Sequence, residues 1–265
     1  ARTVQIAAQS GAAAEHLRSL FQRALEDAPS VSPAVIVRDW REVLDDQPMC
    51  CLAPGVLPLA GLVVHGGAPG GGKTVLVVDL GLRGAHGLDW LGIPLRPFST
   101  LYLAGEGHGG LGARLRAWRA AHPAARAVDG HYFAVAAGVP DLTASSAQRD
   151  LEALIDAAAR SHGGRPPDVV VIDTLAMAAP GADENDAGAL GAVLRVLAEV
   201  RQRRGCTFVV LHHTRKPSAD RGGARSQHDL RGSSALAGAA DVVMLAGADG
   251  DAHAIQTVKV RDGEL

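Results

Sequence analysis

Lysine is scarce in this 265-residue chain, with only Lys73, Lys216 and Lys259 among the 26 Lys+Arg residues. Aromatic residues make up 3%, so there is little material for a stacking platform of the kind that grips single-stranded nucleic acid. Cysteine is limited to Cys50, Cys51 and Cys206. An odd set containing two chain neighbours does not form a disulfide framework; it suits a reducing compartment with all three thiols inert. No apolar run approaches the ~18 residues of a membrane span. The opening ARTVQIAAQS has no charged start followed by an apolar core, which excludes a signal peptide there. On these grounds the chain is read as cytoplasmic, without a membrane partner. A net charge of −2 excludes a polycation that coats DNA or anionic lipid, so any nucleic-acid contact has to be local.

The chain is 47% apolar and 20% charged, with 32 glycines, which is globular composition with many close backbone approaches. Residues 12–27 carry Leu17, Leu20, Phe21, Ala24 and Leu25 at helical spacing, an amphipathic helix suited to docking. Pro29 to Pro58 holds five of the 14 prolines and reads as an irregular arm or lid. Residues 1–58 therefore form an N-terminal helix and Pro-rich arm, and 59–265 the main domain. In the main domain, strand-like runs at 61–66, 99–104, 131–135, 169–173 and 207–212 alternate with helical stretches near 74–86, 109–122, 146–161 and 186–204. Such alternation predicts an α/β fold, a mostly parallel sheet with helices on both faces. The runs 241–246 and 253–260, joined by GADGDA, add a C-terminal antiparallel hairpin. Arg201, Arg203 and Arg204 read as a solvated face or as favourable charges at a helix C-terminus, and Asn185 or Asp186 as the cap of that helix.

The segment GAPGGGKT, Gly67, Ala68, Pro69, Gly70, Gly71, Gly72, Lys73 and Thr74, fits G-x-x-x-x-G-K-[ST] between a predicted strand and a predicted helix. Unobstructed backbone N–H groups there can wrap phosphate oxygens, aided by the helix N-terminus. Lys73 reaches the β- and γ-phosphates of ATP, and the Thr74 hydroxyl holds Mg²⁺. VVVID supplies Asp173 as a second magnesium-ordering acid at the end of a buried strand. The residue after it is Thr174, so the base that activates water has to come from elsewhere. Glu106, ending the strand STLYLAGE, is the candidate base, with capping of the next helix as the alternative. At the end of TFVVLHHTRK, His212 or His213 either senses the γ-phosphate or is a buried structural histidine.

The following stretch carries Arg215, Lys216, Arg221, Arg225 and Arg231 against two acids. It reads as a basic loop gripping a DNA backbone without sequence preference, or as a solvated connector. In VKVRDGE, Lys259 and Arg261 are spaced by two on one strand face. They suit insertion into a neighbouring subunit's nucleotide in trans, or a charged edge that discourages aggregation. No metal-ligand cluster is evident: His65, His86 and His108 have no partners at binding spacing.

Taken together and in order, GAPGGGKT, LYLAGEG with the Arg-rich helix after it, VVVIDTLA followed by PGADEND, VLHHTRK, RGSSAL and VKVRDGE resemble the RepA-type ATPases of the RecA/DnaB superfamily, over about Asp39 to the C-terminus. The resemblance implies a RecA-like P-loop core that assembles as a ring, commonly a hexamer, with ATP and Mg²⁺ at subunit interfaces. It implies Lys73 and Thr74 at the phosphate and magnesium positions, Glu106 as catalytic base and Asp173 as Walker B acid. It further implies His213 as γ-phosphate sensor, Lys259 with Arg261 as the trans-acting pair, and the loop before Arg231 as the DNA-binding loop. The expected function is a Mg²⁺-dependent ATPase coupled to binding, translocation along or unwinding of single-stranded DNA in plasmid, phage or mobile-element replication. An ATP-switched scaffold or loader for replication or recombination proteins is the alternative, and a small-molecule P-loop kinase a third. The lack of an initiating Met and the end two residues beyond Gly263 suit a segment of a longer protein.

Overall fold

The computed structural model describes residues 39–40, 51–106, 108–182, 186–214, 226–230, 234–249 and 252–261. The chain divides into two compact units, Ala1–Asp46 and Gln47–Leu265. Of the first, only Asp39 and Trp40 are described, so the amphipathic stretch 12–27 lies outside the described residues.

The second unit is built on a seven-stranded sheet. In chain order, β1 (Cys51–Ala53) and β2 (Leu57–Pro58) form a separate antiparallel ribbon. Then come β3 (Leu62–Gly67), α1 (Lys73–His86), β4 (Thr100–Ala104), α2 (His108–Ala121), β5 (Phe133–Ala137) and α3 (Ala147–Ser161). They are followed by β6 (Val169–Asp173), the short α4 (Leu175–Ala178), α5 (Ala187–Arg204), β7 (Thr207–His213), α6 (Ser234–Ala239), β8 (Val242–Asp249) and β9 (Ala252–Val260). The sheet order is β5-β4-β6-β7-β3-β8-β9, parallel except for β9. The predicted α/β architecture, with its C-terminal antiparallel hairpin, is the observed one.

The central strands are covered on both faces, which is why they read as continuous apolar runs rather than alternating ones. Leu62, Val64, Val170, Ile172, Phe208 and Val210 pack with Leu151 and Ile155 of α3 and Val193 and Leu197 of α5. On the other face, Val63, Tyr102, Val171, Val209 and Leu211 pack with Val77, Val78 and Leu80 of α1, and with Trp90 and Phe98. Helix α1 lies tightly on its layer. A Cβ built at Gly84 would stand 2.2 Å from the Phe98 ring, so only glycine fits there.

Two sequence readings are corrected. The Pro-interrupted segment is not wholly an irregular arm: within it β1 and β2 pair, and Leu52, Ala53, Val56 and Leu57 are buried in the core beside α1. Nor are the arginines ending α5 simply solvated. Arg201 pairs with the buried Asp241 at 2.8 Å, and Arg204 with Asp156 at 2.7 Å and Glu152 at 3.1 Å, tying α5 to α3. Asp186 does cap α5, accepting from Gly188 N–H at 2.7 Å and Ala189 N–H at 3.3 Å. Cys206 is buried, its thiol pushed up to about 12 by burial, in keeping with an inert cysteine.

Candidate functional site

The sheet order sets the site. Strands β4, β6, β7 and β3 are consecutive neighbours, and their C-terminal ends deliver Glu106, Asp173, His213 and the loop opening at Gly67. A crevice beyond the carboxyl ends of parallel strands is where such sheets bind ligands.

The loop from Gly67 to Thr74 has the backbone its sequence implies. Gly70 and Gly72 take φ of 73° and 84°, a left-handed conformation natural to glycine, and Gly71 N–H closes a turn on Ala68 O at 3.0 Å. Helix α1 then starts at Lys73. Its ammonium is buried and donates to Gly67 O at 2.8 Å and Ala68 O at 2.9 Å, leaving the third of its three protons for a phosphate oxygen. Burial pulls the Lys73 pKa below its ordinary value, against the opposing pull of Asp173 and Glu106.

Asp173 is 2% exposed. The Thr74 hydroxyl donates to its Oδ2 at 3.1 Å, and the Tyr102 hydroxyl makes a short hydrogen bond to the same oxygen. Burial raises the Asp173 pKa, opposed first by these two hydrogen bonds. The Asp173–Thr174 peptide is cis. Thr174 is itself buried and donates from its hydroxyl to Glu106 Oε1 at 2.9 Å, so the exposed Glu106 is held beside the end of β6. Thr74 and Asp173 offer adjacent hard oxygen donors, the set magnesium takes next to phosphates. Among the described residues no cluster of three or more His, Cys, Asp or Glu could hold a metal unaided.

Register separates the two histidines. His213 pairs with Gly67 and falls on the α1 face with Val209 and Leu211; His212 pairs with Gly66, falls on the opposite face and is buried. His65, on β3, is wholly buried, and its pKa is pulled down to about 3 by burial and, secondarily, by Lys73.

Lys259 and Arg261 stand together but away from this crevice. Lys259 pairs with Val243 and Val260 with Val242, level with the start of β3 at Val63, whereas the P-loop leaves β3 at its other end. Lys259 donates to Ala237 O at 2.8 Å and Gly238 O at 3.1 Å. Arg261 donates to Gly238 O at 2.7 Å and pairs with Asp241 at 3.0 Å. Both cations thus hold the C-terminal carbonyls of α6, where a helix favours positive charge. Asp241 also accepts from Leu62 N–H at 2.8 Å, joining the pair to the first residue of β3. Arg215, Lys216, Arg221, Arg225 and Arg231 lie outside the described residues.

Sequence reasoning missed Tyr102 and the partner that Thr174 gives Glu106. Both contacts cross between β4 and β6, which are separated in sequence by three elements, α2, β5 and α3. The one available signal was period-two alternation, which aligns Tyr102 with Val171 and Asp173 once the strands are known to be neighbours.

A family model described as AAA domain matches residues 30–219, well over half of the chain. No curated protein matches it.

Proposed function

This chain belongs to the AAA domain family and is a P-loop ATPase, and from that premise we propose that it works as one subunit of a ring that couples Mg²⁺-dependent ATP hydrolysis to binding and translocation along single-stranded DNA, in the manner of a RepA-like replicative helicase. The observation that carries the catalytic half is a pair of hydrogen bonds, Thr74 at the start of α1 to Asp173 at 3.1 Å and Thr174 after β6 to Glu106 after β4 at 2.9 Å. They gather a magnesium-ordering pair and a carboxylate base at the mouth of the phosphate loop.

In this reading the Gly-rich backbone and Lys73 cradle the phosphates, while Thr74 and Asp173 hold the ion. Magnesium, when bound, neutralises charge on the β- and γ-oxygens. Glu106 orients and deprotonates the attacking water. His213, beside Gly67, detects loss of the γ-phosphate. Lys259 and Arg261, remote from their own chain's loop, act on a neighbour's nucleotide, and the basic stretch before Arg231 contacts the DNA backbone through phosphates.

The test is steady-state ATP hydrolysis by the purified chain with and without single-stranded DNA, alongside Glu106→Gln. The expected result is DNA-stimulated turnover that the substitution abolishes. A rate indifferent to DNA would overturn the coupling to DNA and leave an ATP-switched scaffold or loader.

A further inference from the structure

The hydroxyl of Tyr102 is a polar group at the centre of the site to which the proposed mechanism gives no role. Its side chain is 1% exposed on β4, with its ring tilted against Phe133 at a centroid distance of 5.9 Å. From there the phenol reaches Asp173 Oδ2, the oxygen that also accepts the Thr74 hydroxyl. Two donors on one oxygen occupy its lone pairs and fix the rotation of the carboxylate. Oδ1 is then the oxygen that can face a metal-bound water. The Thr74 O–H is likewise directed at Asp173, which turns a lone pair of Thr74 outward toward an ion.

We propose that Tyr102 is a positioning residue for magnesium, orienting Asp173 and through it Thr74 so that both present oxygen to the ion accompanying the nucleotide. This inference rests on the Mg²⁺-dependent ATPase reading above. Partners one step removed from a metal's own ligands commonly change metal affinity by about 10–100-fold when removed.

The test is Tyr102→Phe, which keeps the buried ring and deletes only the oxygen. Binding of a fluorescent N-methylanthraniloyl ADP to the full chain is titrated with MgCl₂, starting from EDTA. The variant should bind the nucleotide in EDTA within about twofold of the parent, and its magnesium midpoint should rise by about 10-fold or more. A midpoint equal to the parent's overturns the inference, as does an equal loss of affinity with and without magnesium, which would mean that the phenol shapes the loop and not the ion site. If the parent binds nucleotide with no magnesium dependence, the ATPase reading fails and the inference with it.

A second measurement needs no substitution. The chain has two tyrosines, Tyr102 and Tyr132, so 3-fluorotyrosine labelling gives two fluorine signals. Adding MgCl₂ to the ADP complex should move the Tyr102 signal and leave that of Tyr132, which donates to Arg165 O at 2.9 Å, in place. An unmoved Tyr102 signal overturns the inference.

Discussion

Thr174 occupies the position after Asp173, and its hydroxyl is one of the few polar groups buried at this depth. Its bond to Glu106 orients the exposed carboxylate proposed as the base. Thr174→Val should therefore lower kcat by roughly 10- to 100-fold with little change in KM, since small misplacements of a reacting group carry costs of that order. Thr174→Ser should restore most of the rate, and a steady-state comparison of the three checks this. Lys73→Ala removes the ammonium proposed to hold the phosphates and should abolish nucleotide binding, measured by the same fluorescent ADP. His65 gives a pH signature. Its folded pKa of about 3 lies below the unfolded value near 6.5, so the unfolded chain binds the extra proton. The stability this group contributes is complete above pH 6.5 and is lost as pH falls toward 3, with a slope approaching ~1.4 kcal/mol per pH unit. Urea unfolding from pH 7 to pH 4 should show that slope in the parent and a shallower one in His65→Leu.

The rhythm of strands and helices in the core was legible because each element is specified locally: VVVID matches β6 residue for residue, and GGKT marks where α1 begins. The P-loop was legible for the same reason. Strand order was not, because it depends on crossovers that no local pattern encodes, and with it went Tyr102 on Asp173. The β1–β2 ribbon was missed because two short strands, one followed by Pro54 and the other ending in Pro58, carry turn chemistry stronger than any strand signal. Glycines within helices separate packing from propensity. Gly84→Ala on α1 would drive a methyl into Phe98 and should cost about 1–3 kcal/mol by urea unfolding. Gly191→Ala on α5, where nothing lies within 4 Å, should stabilise by about 0.4–1 kcal/mol.

At the scale of the whole molecule, the phosphate loop and the Lys259–Arg261 pair lie at opposite ends of the strands, the loop beyond the C-terminal end of β3 and the pair level with its start. In the proposed ring, Arg261→Ala chains keep an intact loop, and Lys73→Ala chains keep an intact cation pair. Each alone should be inactive, and an equimolar mixture should regain a substantial fraction of parental hydrolysis. A mixture as dead as its components would count against action in trans. The same separation gives the chain a direction. Copies that serve one another through such ends meet front to back, through unlike surfaces, and never through the same patch across a two-fold axis. An open row of them always wastes one loop at one end and one cation pair at the other. Only closure leaves no idle end, so hydrolysis per chain should climb with protein concentration and level off when the row bites its own tail.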